Sequence, residues 1–330
     1  MKRLIITNGD SVADPLTEAG AADRILAWQD VLHEGPVPIT ATEAELREIR
    51  ASFLQSTLST SDRSVLAELE ERDRLIEDHA GFDTIDLWFE HDLYDQLQVL
   101  QILTRLNALG RTKNVHLLAV NTHLGPLPID KLLGLSQNLV ELNGSSFTAA
   151  ADIWTAFRQP TPEGFADPSA LPAPALPFVR QALRRALEQL PGVSDGLSRT
   201  ERQILYSIDR GVARAGLLFA RSIAMEEAAF LGDLSFFRIL SDLQHCATPL
   251  IKGLALSFEP SVLDDGERRK AFIQSHVELT EAGQTVLSAK QDHASLNEID
   301  RWLGGTHLTA SNLWRYDQEE RQLIAPPSMH

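Results

Sequence analysis

The sequence predicts an α/β protein, in which a Rossmann-like domain with a parallel sheet precedes a mainly helical, winged-helix-like domain. Short apolar runs alternate with amphipathic helical patterns at the start of the chain, which is typical of a parallel sheet covered by helices. A proline-rich stretch ends this alternation, and the pattern beyond it is mainly helical. The expected divisions are a sheet domain, a linker, a helical domain and a C-terminal segment, at residues 1–157, 158–178, 179–290 and 291–330.

The first domain is expected to contain four strands and four helices. The apolar runs that predict strands lie at residues 4–7, 24–28, 85–89 and 115–120. The amphipathic patterns that predict helices lie at residues 12–20, 41–57, 61–79 and 92–109. Because proline has no backbone N–H, we expect Pro15 to lie in the first turn of its helix, where that donor would have no partner.

The rest of the chain begins with the linker, where six of the 16 prolines lie between residues 160 and 177 and predict a stiff, extended segment. Helices are then expected at residues 176–190, 200–210, 222–231 and 234–246. Ser198 and Glu201 have the spacing of a capping box before the second of these helices. Two hairpin strands are expected at residues 251–258 and 275–279, with a polar tip at 264–270 between them. A closing helix is expected from residue 280. This order of elements is typical of a winged helix-turn-helix.

Composition limits the classes of partner. The chain has 330 residues and a formal net charge of −16, with 12 basic and 23 acidic residues among the first 150. This balance disfavours general binding to nucleic acid or anionic membranes, because that affinity comes largely from Lys and Arg. The one cysteine, Cys246, excludes an internal disulfide, and its apolar neighbours predict a buried side chain. No signal-peptide pattern or membrane-spanning run is visible, so we expect a cytoplasmic protein.

Polar residues follow three of the predicted strands at the point where each strand ends. Ligands of open parallel sheets bind at the carboxyl ends of strands, so these side chains are candidates for acid/base or metal chemistry. The candidates are Asn8, Gly9, Asp10 and Ser11 after the first strand, Asp30, His33 and Glu34 after the second, and Glu90, His91 and Asp92 after the third.

Each strand end also has a structural explanation. Residues 8–11 could cradle an anion at a helix start, or form a tight turn that caps the next helix. His33 beside Glu34 could be a general base with its orienting partner, or an exposed loop histidine. Asp92 is well placed to cap the following helix. That role does not explain Glu90, whose carboxylate would need a cation, donor or ligand if buried.

The same residues fit two kinds of chemistry. Two imidazoles and two carboxylates, from His33, Glu90, His91 and Asp92, would suit a divalent metal such as zinc, manganese or iron. Without a metal, His33 or His91 would act as general base, with Glu34 and Glu90 orienting or polarising it. A divalent metal is the one cofactor that these residues would suit, and the identity of any cofactor stays open.

A second polar cluster lies near the C-terminus and contains Arg301, His307 and Arg315 among tryptophans. Its arginines would bind an anionic substrate or pair with the acids of the first domain. We expect this tail to fold back on the first domain and close the site. A purely structural role, in which aromatic and Arg–carboxylate contacts hold the domains together, is the alternative.

Direct DNA reading by the winged-helix region is disfavoured. The second helix of such a fold enters the major groove. Here that helix, at residues 234–246, offers only Arg238 as a permanent cation. The basic residues of the wing tip, 268–270, follow three acids. A role in packing or protein contacts is the more natural expectation.

At these segments the sequence resembles a bacterial family, the domain-of-unknown-function family 1835. The resemblance is carried by residues 7–11, 28–36, 88–96, 196–203 and 299–308, which read TNGDS, WQDVLHEGP, WFEHDLYDQ, GLSRTERQ and IDRWLGGTHL. Gln29 departs from the family pattern, which has a charged residue beside Asp30. The resemblance supports the choice of segments and implies no activity, because none is established for the family.

The function predicted from the sequence is that of an enzyme, a hydrolase or transferase. It would act on a small phosphate- or nucleotide-containing ligand at the carboxyl edge of the sheet, with Arg301 or Arg315 binding the anion. Two alternatives stay open: a ligand-sensing regulator whose first domain controls the winged helix, and a non-catalytic interaction protein whose polar clusters are structural.

Overall fold

A computed structural model describes residues 1–57, 64–171 and 175–327. It confirms the α/β class, with a five-stranded sheet flanked by helices and a helical C-terminal part. The sheet strands are β1 (Arg3–Thr7), β2 (Arg24–Ala27), β3 (Thr84–Phe89), β4 (Val115–Ala119) and β5 (Val140–Glu141). Their order is β2-β1-β3-β4-β5, and all neighbours are parallel except the pair β4 and β5.

Side chains alternate between the two faces of the sheet, as strand geometry requires. Leu4 and Ile6 of β1 pack into the larger core, whereas Ile5 packs into a smaller core on the opposite face. The first helices are α1 (Asp10–Glu18), α2 (Glu43–Thr57), α3 (Val65–Glu77), α4 (Leu93–Ala108), α5 (Ile129–Gly134) and α6 (Gly144–Phe157). Helices α1 and α5 contribute to the smaller core, and α4 and α6 to the larger one.

The chain reverses its direction of winding between β1 and β3. It passes from β1 to the outer neighbour β2, and then returns to β3 on the other side of β1. In doubly wound sheets, a crevice at the carboxyl ends of such strands receives ligands. The turn after β1 and the turn after β3 therefore border the position where a ligand is expected.

The later helices are α7 (Val179–Leu187), α8 (Arg199–Asp209), α9 (Ala215–Ile223), α10 (Asp233–His245), α11 (Gly266–Gln274), α12 (Glu281–Leu287) and α13 (His293–Leu296). Helix α8 begins with the predicted capping box, in which Ser198 accepts from the Glu201 N–H and Glu201 accepts from the Ser198 N–H. Helices α8 to α12 enclose a separate hydrophobic core with the short pair β6 (Ile251–Lys252) and β7 (Glu278–Leu279).

Three local predictions are wrong. Pro15 lies in the second turn, because α1 begins at Asp10. The helix expected at 222–231 lies instead at Ala215–Ile223. Glu226 and Glu227 follow the end of this helix and form ion pairs with Arg185 and Arg199. The polar wing tip at 264–270 belongs to α11, whose N-cap is Asp265. Helices α5 and α6 and strand β5 were not predicted from the sequence. Residues 61–63, the expected start of α3, lie outside the described residues.

The proline-rich segment is not an extended linker over its described part. Short helical turns occupy Pro162–Phe165 and Pro168–Ala170. Phe165 is buried against Phe157 of α6, with ring centroids 5.6 Å apart. This apolar anchor folds the segment onto the sheet domain. Pro172 and Pro174 lie outside the described residues.

The C-terminal segment forms two hairpins, made by β8 (Arg301–Leu303) with β9 (Thr306–Leu308) and by β10 (Arg315–Asp317) with β11 (Gln322–Ile324). The turn of the first hairpin contacts the sheet domain: the Val37 N–H donates to the Gly304 carbonyl, and the Gly305 N–H to the Phe157 carbonyl. Gly304 has φ +58°, and a Cβ there would lie 2.1 Å from the Phe157 oxygen. In the described part of the chain, no helix is long and apolar enough to cross a membrane.

Candidate metal centre at the carboxyl edge of the sheet

The turn after β1 is tied to the start of α4. The Asn8 side-chain amide donates to Asp95 Oδ1 over 2.9 Å, and the Tyr94 hydroxyl donates to the Asn8 carbonyl over 3.2 Å. Asp92 caps α4 by accepting from the Asp95 N–H, as the sequence predicted. These bonds fix the two turns that border the crevice.

Glu90 follows β3 directly and is almost completely buried. Its Oε1 accepts from the Leu124 N–H over 2.7 Å, and its Oε2 lies 2.6 Å from His123 Nδ1. His123 belongs to the loop after β4, the parallel neighbour of β3. Parallel pairing thus brings both turns to the same edge of the sheet.

Glu90, Asp92 and His123 form a set of potential metal ligands. One ligand atom from each lies within 4.8 Å of the other two. The sequence predicted Glu90 and Asp92 for this role, together with His33 and His91, but His123 takes the place of those two histidines. Applying the strand-end rule to the fourth strand as well would have found it. We call Glu90, Asp92, Asp95 and His123 the edge cluster.

The acids of the edge cluster are buried, and among the described residues none of them is paired with Lys or Arg. Within residues 1–57, 64–171 and 175–327, no Lys or Arg forms an ion pair with Glu90, Asp92 or Asp95. Burial, together with the Glu90 carboxylate, raises the pKa of Asp92 to about 7. Burial and the Asp92 and Glu90 carboxylates raise the pKa of Asp95 well above its ordinary value. In the part of the chain that the structure describes, no permanently charged base therefore compensates these acids.

His91 lies beside the edge cluster but is not part of the ligand set. Its ring centroid is 6.1 Å from that of His123 and 5.7 Å from that of Phe178. Its Nδ1 is buried without a hydrogen-bond partner. The ring therefore stands between the cluster and the N-terminal end of α7.

Asp30 has a different setting from the one predicted. It is fully buried, and its Oδ1 accepts from Arg50 Nε and Nη2 over 3.0 and 2.8 Å. Arg72 lies 3.7 Å from its other oxygen and also contacts Asp73, which Arg105 binds as well. A carboxylate enclosed in this way has no surface for a ligand, so we remove Asp30 from the candidate site.

His33 and Glu34 face the helical part of the chain. The His33 ring lies edge-on to Tyr94 and Phe230, and its Nε2 is 3.5 Å from Glu34 Oε1. Glu34 forms an ion pair with Arg238 of α10. Burial would raise the pKa of Glu34, but His33 and Arg238 outweigh it and lower the pKa to about 2. Neither residue joins the edge cluster.

The remaining residues of the first turn keep their predicted position at the edge. Gly9 is the N-cap of α1, and its carbonyl accepts from the N–H groups of Val12 and Ala13. Asp10 is exposed and accepts from the Gln29 amide over 2.6 Å, and Ser11 is also exposed. Anion binding by this turn stays a prediction.

The C-terminal residues form ion pairs of their own. Arg301 binds Glu201 over 2.8 Å, and Arg315 binds Asp292 over 2.6 Å and the Gly192 carbonyl. His307 binds Asp300 and stacks on Trp302 at 4.4 Å between centroids. Arg301 shares a cleft of about 480 Å³ with His33 and Glu34. The structure therefore does not bring Arg301, His307 or Arg315 to the edge cluster.

Comparison of the chain with protein-family models finds no match, and comparison with curated proteins finds none either. The resemblance to a bacterial family drawn from the sequence therefore stays a prediction.

Proposed function

We propose that this protein is a hydrolase or transferase that uses a divalent cation held by Glu90, Asp92 and His123. One observation carries the proposal: two buried carboxylates and a histidine place their ligand atoms within 4.8 Å of one another. Taking a carboxylate out of water costs several kcal/mol, and among the described residues no Lys or Arg forms an ion pair with Glu90 or Asp92. A bound cation would remove that cost.

The ligand types indicate the class of cation. One imidazole and two carboxylates suit zinc, manganese or ferrous iron better than soft metals. Three protein ligands leave coordination positions for water and substrate, as catalytic sites require. A cation held there would polarise a substrate oxygen and lower the pKa of a bound water.

The histidine and its carboxylate also support a metal-free version of the same reaction class. Glu90 accepts from His123 Nδ1 over 2.6 Å, which leaves Nε2 of this half-exposed ring available. A buried carboxylate that orients an imidazole is the arrangement of a general base. In this version Asp92 only caps α4.

The test is turnover of a panel of nucleotides and sugar phosphates, followed by ³¹P NMR with Mn²⁺ or Zn²⁺ and with EDTA. We expect turnover that EDTA abolishes and that Glu90→Gln or His123→Ala lowers by about 100-fold. Turnover that survives EDTA but not these substitutions would assign the metal-free version. If no compound reacts, or if both variants keep full activity, the proposed function is wrong.

His116→Ala is the matched control. His116 Nδ1 also lies on a buried carboxylate, that of Asp86 at 2.8 Å, in the middle of the sheet. Arg3 also pairs with Asp86, so the charge of this carboxylate is already compensated. We expect the control to keep full activity.

A further inference from the structure

A second cleft, of about 430 Å³, adjoins the edge cluster on the side of His91. It lies between the start of α4 and α7, and the segments around Arg199, Glu226 and Arg321 complete its wall. Its volume is within the range of small-molecule sites. We call it the arginine cleft, after the five arginines that line it: Arg180, Arg184, Arg185, Arg199 and Arg321.

Two of the five arginines are neutralised within the cleft. Arg185 binds Glu226 through two hydrogen bonds of 2.8 Å. Arg199 binds Glu188 over 2.8 Å and Glu227 over 2.6 Å. These two arginines therefore engage all three acids that line the cleft.

The other three arginines have no carboxylate partner among the described residues. Within the part of the chain that the structure describes, Arg180, Arg184 and Arg321 form no ion pair, although Arg180 donates to the Leu171 carbonyl. With five arginines against three glutamates, the cleft carries an excess of two positive charges. This excess is notable in a chain with a net charge of −16.

A buried donor in the wall also lacks a partner. Arg185 has a side chain that is only 7% exposed, and its Nη1 is buried without a hydrogen bond. A buried unsatisfied donor costs about 1–3 kcal/mol, and more when it is charged. The same guanidinium also lies over the Phe230 ring, 4.8 Å from its centroid.

We propose that the arginine cleft binds the phosphate group of a small phosphorylated substrate. Two excess positive charges match a dianion, and arginine binds phosphate in a bidentate manner. His91 lines the cleft and has its ring 6.1 Å from that of His123, so a bound phosphate would lie beside the edge cluster. The proposal deepens the proposed function by naming the charged group of its substrate, and its orientation toward the cluster rests on that function.

The experiment measures binding of inorganic phosphate and of phenyl phosphate by calorimetry, in EDTA at low ionic strength. The variants are Arg184→Gln on α7 and Arg321→Gln on a separate segment, and the control is Arg221→Gln, an exposed arginine of α9 without an ion pair among the described residues. We expect one site, weakened by about 10-fold in both variants and changed less than about twofold in the control. Thermal melting of each variant verifies the fold.

Several results would overturn the proposal. Equal affinity in Arg184→Gln, Arg321→Gln and Arg221→Gln would mean an adventitious ion only. Acetate that competes as well as sulfate would exclude a dianion site. A DNA fragment that binds more tightly than phenyl phosphate through the same arginines, with a steep salt dependence, would replace the small ligand by a nucleic acid.

The two proposals can fail separately. Because phosphate binding is measured in EDTA, it does not depend on a cation. If phosphate binding depends on Arg184 but the protein binds no divalent cation, only the proposed metal centre is refuted. If cation binding depends on Glu90 but phosphate binding does not change in Arg184→Gln, only the proposed phosphate site in the arginine cleft is refuted.

Discussion

The sheet domain buries acids in two contrasting ways. Asp30 and Asp73, on the α2 and α3 side, are enclosed by arginines from helices. Glu90, Asp92 and Asp95, at the carboxyl edge, are just as buried, and among the described residues no Lys or Arg forms an ion pair with them. The same residue types, at the same depth, therefore have opposite electrostatic settings.

The pKa directions report this contrast. Burial raises the pKa of Asp73, but Arg72 and Arg105 outweigh it and the net shift is downward. At the edge, burial raises the pKa of Asp92 and Asp95, and the neighbouring carboxylates add to it. The ionised form of Asp73 is therefore favoured by its arginines, whereas the ionised forms of Asp92 and Asp95 are disfavoured at the edge, where we expect a bound cation to compensate them.

The largest expected effect follows from breaking the arginine-paired acids. Arg50→Met removes the nearer of the two arginines that pair with the fully buried Asp30 among the described residues, and leaves Arg72 at 3.7 Å. Removal of one partner of a buried pair costs about 3–5 kcal/mol. Urea denaturation should show a loss of that size, and the double variant with Asp30→Asn should recover part of it. A loss below about 1 kcal/mol would contradict the account.

The Glu34–Arg238 pair predicts a pH dependence. The pKa of Glu34 is about 2 in the folded protein, below its ordinary value of 4.5. This carboxylate therefore adds stability above pH 4.5, and the gain is lost as the pH falls toward 2. Arg238→Gln should remove on the order of 2 kcal/mol at pH 7 and flatten the acid limb of the stability curve. Parallel curves for both proteins between pH 5 and 2.5 would refute this reading.

Removal of a charged side chain from the edge cluster should raise the stability of the protein instead of lowering it. Asp92→Asn keeps a cap for α4 but removes a buried charge, so it should stabilise the cation-free protein at pH 8 by about 1–2 kcal/mol. Thermal and urea unfolding in EDTA measure the change. A loss of stability there would mean that the Asp92 charge is compensated, contrary to the contrast drawn above.

Sequence patterns predicted much of this arrangement. Apolar periodicity located the four parallel strands, and the strand-end rule selected Glu90 and Asp92. The strand-end rule could not show that the Asp30 carboxylate is already paired with Arg50 and Arg72. These arginines lie 20 and 42 positions further along the chain, on helices whose packing against the sheet no local sequence pattern specifies. The placement of Arg301 with Glu201 depends likewise on tertiary contacts.

The smallest expected effect concerns the C-terminal hairpin. His307 is partly exposed, pairs with an exposed Asp300 and stacks on Trp302. Exposed pairs of this kind contribute about 0–1 kcal/mol. His307→Ala should therefore change stability by no more than that and leave cation binding unaltered. A large loss of cation affinity in His307→Ala would contradict this prediction and would mean that His307 contributes to the cation site.

Calorimetric titration of the EDTA-stripped protein with Mn²⁺ and Zn²⁺ tests the central claim most directly. The account predicts one site in the wild-type protein and in His116→Ala, and at least about 10-fold weaker binding in Glu90→Gln and Asp92→Asn. At a cation concentration about 100 times the Kd, the wild-type protein should gain about 2.7 kcal/mol in stability. Binding that is absent from the wild-type protein, or equal in all four proteins, would contradict a metal centre at the edge cluster.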